Sequence, residues 1–171
     1  MPGAENGFYD QMKDIIDVNT GQVRTARNKT ALRAMAIGSC IVITAYDRNN
    51  EAGAMAHIML FGSAPGEESR KTKYAVDAVD ELIKQMARTG TKKDDIEVVL
   101  VGGGNVLQKE NDTICKRNIE SVTELLKEKD IPVTASVLGG TQRKMVRLDV
   151  ETGTVMYSEG NGKERLLCKL R

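Results

Sequence analysis

One histidine, His57, and three cysteines, Cys40, Cys115 and Cys168, are all that the 171 residues offer of these two residue types. An odd number of cysteines at wide spacings, with no C-x-x-C pair, argues against a disulfide scaffold and against a four-ligand zinc site. A metal site would need carboxylates as its remaining ligands, and no short cluster supplies them. Chemistry without a metal or organic cofactor is therefore expected. An excess of either charge is lacking too: 25 Lys and Arg against 24 Asp and Glu leave +1 with the histidine neutral. Composition thus shows no footprint of nucleic-acid or membrane-surface binding. The longest largely apolar stretch, 53–61, is far too short to span a bilayer. Residues 1–12 hold no apolar run of the kind a signal peptide needs. A soluble, cytoplasmic protein without membrane insertion is expected. Gly102-Gly103-Gly104-Asn105 lacks both the Gly-Lys-Ser/Thr ending of a P-loop and the dinucleotide G-x-G-x-x-G spacing. It reads as a tight turn or a close approach of backbone to a substrate segment, and Gly139-Gly140-Thr141 reads the same way.

What is present has the size of one domain with a substantial core. Residues 1–30 form a polar, weakly patterned segment with a turn signal at Asn19-Thr20-Gly21. Phe8, Met12, Ile15 and Ile16 recur at helical spacing there, and a short hairpin fits the remainder. The domain proper is set at 31–171. Its 31–37 stretch reads as a strand, followed by apolar runs at 40–46 and 52–60. Helical periodicity covers 72–89, where Ala75, Val76, Val79, Leu82, Ile83 and Met86 make one stripe and Gly90 the stop. A strand follows at 96–101, and a second helix at 114–129 carries Ile119, Val122, Leu125 and Leu126 as its buried face. Short strands are expected at 133–138, 145–150, 154–157 and 165–170. Two helices among many strands, without strict βαβ alternation, make an α+β domain rather than a doubly wound sheet.

The chemistry is concentrated in the hairpin. Gly38-Ser39-Cys40 opens its first strand, Gly53-Ala54-Met55-Ala56-His57 lies in its second, and Asp47-Arg48-Asn49-Asn50-Glu51 joins them. A two-residue loop at Arg48-Asn49 sets Cys40 directly opposite His57, with Cβ atoms about 4.5–5.5 Å apart. A turn centred on Asn49-Asn50 leaves them diagonal neighbours on one face, and a slip of one residue would separate them. A thiol beside an imidazole is the minimal nucleophile–base pair. The glycine before Ser39 permits unusual backbone angles, so the amides of Ser39 and Cys40 are candidates for an oxyanion pocket. The plainer alternatives are a buried cysteine packing as a small apolar residue and a hydrogen-bonded core histidine. The loop 62–70, directly after the histidine strand, is either a flap over the site or an ordinary connection. Cys115 and Cys168 have no histidine nearby in sequence and read as structural.

At these residues the chain resembles the chemoreceptor glutamine deamidase family, CheD. The likeness runs from Leu32 onward through Gly38-Ser39-Cys40, Gly53-Ala54-Met55-Ala56-His57, Lys73-Tyr74-Ala75, Gly102-Gly103-Gly104, Arg117-Asn118-Ile119, Gly139-Gly140 and Glu151-Thr152-Gly153. It implies a three-layer α/β/β sandwich, with Cys40 as nucleophile and His57 as base. The implied activity is hydrolysis of particular glutamine side chains to glutamate on the cytoplasmic helices of methyl-accepting chemoreceptors. It also implies a second partner, a CheC-type phosphatase. One position departs: where the family carries a threonine whose hydroxyl helps orient the histidine, this chain has Ala34. Thr30 and Thr44 lie nearby without matching it. The alternative function is accordingly a weakly active or inactive binding module that regulates a CheC-type phosphatase and receptor signalling.

Overall fold

A computed structural model describes residues 13–171. Its strands are β1 (Asp14–Asp17), β2 (Val23–Arg27), β3 (Thr30–Ile37), β4 (Ile41–Asp47), β5 (Ala52–Ile58), β6 (Glu97–Gly102), β7 (Val133–Leu138), β8 (Lys144–Asp149), β9 (Thr154–Glu159) and β10 (Arg165–Lys169). Two α-helices, α1 (Ala75–Arg88) and α2 (Ile114–Glu128), complete it. The strands form two five-stranded sheets, ordered β2-β5-β4-β6-β7 and β1-β3-β8-β9-β10.

Alternation along β4 and β5 shows how the layers stack. Ile41, Ile43 and Ala45 of β4, with Ala54, Ala56 and Ile58 of β5, join a core cluster that includes Ala75, Val79, Leu82 and Met86 of α1 and Val122 and Leu126 of α2. The opposite faces contribute Val42, Tyr46 and Met55 to a second cluster with Leu32, Ala34, Val146 and Leu148 of the other sheet. Every residue of β4 and β5 is buried, as the middle layer of a sandwich requires. The α+β expectation and the three layers implied by the resemblance, helices over a central sheet over an outer sheet, are both present. β6, α2 and β7 form one parallel βαβ unit within it.

Asp47 decides the hairpin register. Its buried carboxylate accepts from the Asn49 amide at 2.9 Å and from Asn50 Nδ2 at 2.6 Å. These bonds shape a four-residue loop, 48–51, and Asp47 pairs with Ala52. His57 therefore stands opposite Val42, and the turn is the one centred on Asn49-Asn50.

The N-terminal reading needs correction within the described residues. Ile15 and Ile16 lie in strand β1, not on a helical turn, while Phe8 and Met12 fall outside the described residues. β1 and β2 form no hairpin: β1 runs parallel to β3 in the outer sheet, and β2 runs antiparallel to β5 in the central one. Only the expected turn at Asn19-Thr20-Gly21 is found, with Gly21 at φ +84°. Residues 14–17 and 23–27, within the stretch set apart as an N-terminal segment, are thus hydrogen-bonded into both sheets.

Candidate active site

Cys40 sits just before β4, held by backbone contacts that require glycine. Its carbonyl oxygen accepts from the Gly103 amide at 2.8 Å, and the Gly38 carbonyl accepts from the Gly104 amide at 2.9 Å. Gly102 has φ +134°, and a Cβ there would lie 2.1 Å from the Cys40 carbonyl oxygen. The glycine run is therefore a close backbone approach, and the segment it approaches is the chain's own Cys40 loop. The Gly139-Gly140 turn joins this scaffold: Gly139 donates to the Gly102 carbonyl at 2.9 Å, and Asn105 donates to the Gly140 carbonyl at 2.8 Å. Lys144, buried, donates from Nζ to the Gly139 and Gln142 carbonyls and fixes that turn.

Asn118, a polar residue on the buried stripe of α2, is a second fastening. Its Nδ2 donates to the carbonyls of Ser39 and Met59, both at 3.0 Å. Those carbonyls lie on the residue before Cys40 and the residue after β5, so one amide joins the ends of both strands. Arg117-Asn118-Ile119 was visible as a motif, but the role of Asn118 was not read from it. The available signal was an asparagine placed between Cys115 and Val122 on an otherwise apolar helical face.

His57 is 3% exposed and faces the inter-sheet side of β5, as Met55 does. Cys40 packs against that same cluster. Continuing the β4–β5 register beyond Ile41 places the two residues diagonally on one face, a separation of about 7–8 Å between Cα atoms in a regular ladder. The His57 ring nitrogen Nδ1 is 2.9 Å from the Val18 carbonyl oxygen. A carbonyl can only accept, so Nδ1 carries the proton in this bond and Nε2 of the neutral ring keeps its lone pair. Main-chain bonds fix the same residue further: His57 N donates to Gln22 O at 3.0 Å, and Gly21 N donates to His57 O at 2.8 Å.

Burial depresses the His57 imidazole below its ordinary 6.5, with the Val18 bond pulling weakly the other way. Burial pushes the Cys40 thiol up, against opposing hydrogen bonds from Thr20 and from its own amide. Both shifts favour a resting state of neutral thiol beside neutral imidazole. Cys115 is pushed up to about 11 by burial and by Asp112, whose carboxylate accepts from its thiol at 2.6 Å. Cys168, half-buried on β10, is also raised by burial.

A cavity of about 440 Å³ opens at Cys40, lined among others by Gly38, Ser39, Gly104, Leu107, Ile114 and Arg143. None of residues 62–70 lines it. That loop is fastened to the helical layer instead, through Gly62 N to Ser121 Oγ at 3.1 Å and Ala64 N to Asp77 Oδ2 at 2.8 Å. Among the described residues, no three His, Cys, Asp or Glu side chains gather into a group that could hold a metal ion.

Residues 59–159 match the family described as CheD chemotactic sensory transduction. The chain belongs to the CheD family. A probable chemoreceptor glutamine deamidase CheD of Chlorobium luteolum is 36% identical over 149 residues, covering 86% of this chain and 74% of the relative. The chemoreceptor glutamine deamidase CheD of Thermotoga maritima is 30% identical over 158 residues, covering 92% of this chain and 99% of the relative. Among solved structures, a hypothetical protein YfiH of Bacillus licheniformis aligns with a TM-score of 0.47 and 15% identity, over 75% of this chain and 61% of that one. Within this CheD chain, Ala34 is buried in the inter-sheet cluster opposite Val146 of β8 and offers no polar side-chain atom. The group that orients the His57 ring is the main-chain carbonyl of Val18.

Proposed function

We propose that this protein is a protein-glutamine deamidase, converting glutamine side chains on the cytoplasmic helices of chemoreceptors to glutamate. The observation that carries the reading is the His57–Val18 bond, which leaves Nε2 as a base on the face it shares with Cys40. His57 Nε2 takes the Cys40 proton as sulfur attacks the γ-carboxamide carbon. Negative charge collects on the amide oxygen, and the Ser39 and Cys40 amides at the cavity wall are the donors assigned to it. The imidazolium then returns its proton to the departing ammonia, leaving a thioester. Water attacks that carbonyl with His57 again as base, releasing glutamate and the free thiol. Each step balances with water as the sole co-substrate, so no cofactor enters.

The relatives named as chemoreceptor glutamine deamidases support the substrate class. The cavity rim supports a helical one, since Leu107 and Ile114 expose apolar surface beside Cys40. None of the described helices is long and apolar enough to cross a membrane. A CheC-type phosphatase is the second partner this reading carries. The binding-module alternative rested on the missing hydroxyl at Ala34, and the Val18 carbonyl supplies an orienting group without one.

Ammonia release from a glutamine-bearing chemoreceptor fragment, followed against pH, tests the proposal. Protonating His57 removes the base. Because burial holds its pKa below 6.5, kcat/KM should fall only below that value, later than for an exposed imidazole. An acid limb at or above 6.5, or no ammonia at any pH, would contradict it.

A further inference from the structure

Three consecutive residues fasten α2 to the strands of the active site. The Arg117 guanidinium lies 3.9 Å from the centre of the Phe61 ring. Asn118 donates to the Ser39 and Met59 carbonyls, both at 3.0 Å. Ile119 packs on Gly103, where a Cβ would lie 2.6 Å from its Cδ1, so bare backbone there lets the helix come near enough for Asn118 to reach Ser39. The Met59 end is secured without Asn118. The Met59 and Leu60 amides both donate to the Lys73 carbonyl, at 2.8 and 3.0 Å, and Gly62 donates to Ser121 Oγ. The Ser39 end is not: among the described residues, no other helix side chain hydrogen-bonds Gly38-Ser39-Cys40. Asn118 is 0% exposed, and its Oδ1 has no partner among the described residues. An apolar residue on this stripe would avoid that cost.

We infer that Asn118 is a positioning residue for the oxyanion pocket: by holding the Ser39 carbonyl, it aims the Cys40 amide at the oxygen that gains charge. The Ser39 C=O and the Cys40 N–H belong to one planar trans peptide and point in opposite directions, so fixing the first fixes the second. Among the described residues, no carbonyl accepts from the Cys40 amide, which leaves that donor for substrate. A donor held in place beforehand needs no reorganisation as the charge develops.

This role rests on Cys40 being the nucleophile of the proposed deamidase, and its test needs no glutamine. Two reagents are applied to the full chain, and the Cys40 peptide is followed by mass spectrometry. With p-nitrophenyl acetate, sulfur bonds the acetyl carbon through an oxyanion, p-nitrophenolate leaves and His57 takes the thiol proton. With iodoacetamide, sulfur displaces iodide at a saturated carbon and no oxyanion forms. Asn118→Leu and Asn118→Ala both remove the donor but have opposite steric consequences, so an effect they share belongs to the lost bond. Each should slow acylation by about 10²-fold, the low end of what one lost oxyanion donor costs, with alkylation at the parent rate. Ser121→Ala, which loses the Gly62 bond and no contact to Ser39, should keep both rates. Acylation at the parent rate in a folded Asn118 variant, alkylation slowed as much as acylation, or loss of the fold in both variants overturns the assignment. So does a parent whose Cys40 resists the ester. A parent that is acylated at Cys40 but deamidates no receptor glutamine contradicts the proposed function alone, and the two rates still decide Asn118.

Discussion

His57→Asn is expected to lower the rate of glutamine conversion by about 10²- to 10⁴-fold, the range a positioned general base supplies. Asparagine is the informative replacement. Its Nδ2 occupies nearly the position of the imidazole Nδ1 and can still donate to the Val18 carbonyl, so the turn beneath the ring keeps its partner. It has no lone pair equivalent to Nε2 and cannot accept the thiol proton. His57→Ala would remove the base as well, but it leaves a cavity in a position 3% exposed and an unpartnered carbonyl. Comparing the two separates catalysis from packing. A His57→Asn enzyme within tenfold of the parent would remove His57 from the role of base.

The second large effect is structural. Gly102→Ala should destabilise the fold by about 4 kcal/mol or more, enough to count as diagnostic of a specific steric failure. The new Cβ would meet the Cys40 carbonyl oxygen at 2.1 Å and Ile37 Cγ2 at 3.0 Å, on a backbone at φ +134° that alanine rarely adopts. The oxygen cannot swing away, because it accepts from the Gly103 amide. Relief therefore has to move the Cys40 loop itself, and any protein that stays folded should label slowly at Cys40. Gly62→Ala is the control: φ is +74°, but nothing lies within 4 Å of the added atom. Only the backbone penalty remains there, about 1–2 kcal/mol. Urea midpoints decide the comparison, and equal losses for the two variants would contradict the steric account.

These two residues also show how far the sequence could be read. Cys40 and His57 were recognisable as one-face neighbours because a hairpin fixes parity once its turn is located. The choice between directly opposed and diagonal lay in Asp47, whose carboxylate organises a four-residue loop. An Asp followed two and three residues later by asparagines was the available signal. Helices α1 and α2 were legible from their stripes, since 3.6-residue periodicity over about four turns is distinctive. β1 was not: four residues, DIID, are too few to show a period, and two adjacent isoleucines fit a helix as well as a strand.

The site beyond the pair was hidden for a different reason. The Val18 carbonyl orients the His57 ring, and every residue type carries a carbonyl, so no side-chain pattern can announce it. The glycine run was read as a turn or a close approach, but what it approaches depends on β4 and β6 lying side by side. That pairing brings Gly102 opposite Ile41, one residue from Cys40. From sequence alone the loop 62–70 fits a flap and an ordinary connection equally well. Its anchors, Ser121 and Asp77, belong to helices that only tertiary packing brings near it.

The central claim, that Cys40 converts receptor glutamines to glutamates, is tested most directly by site-resolved mass spectrometry. Chemoreceptor cytoplasmic fragments are incubated with the parent protein and with Cys40→Ala, and each glutamine-containing peptide is scored for glutamate. The expected result is conversion at particular glutamines with the parent and none with Cys40→Ala, at unchanged thermal stability. Conversion that persists with Cys40→Ala, or a folded parent that converts no glutamine, would contradict it.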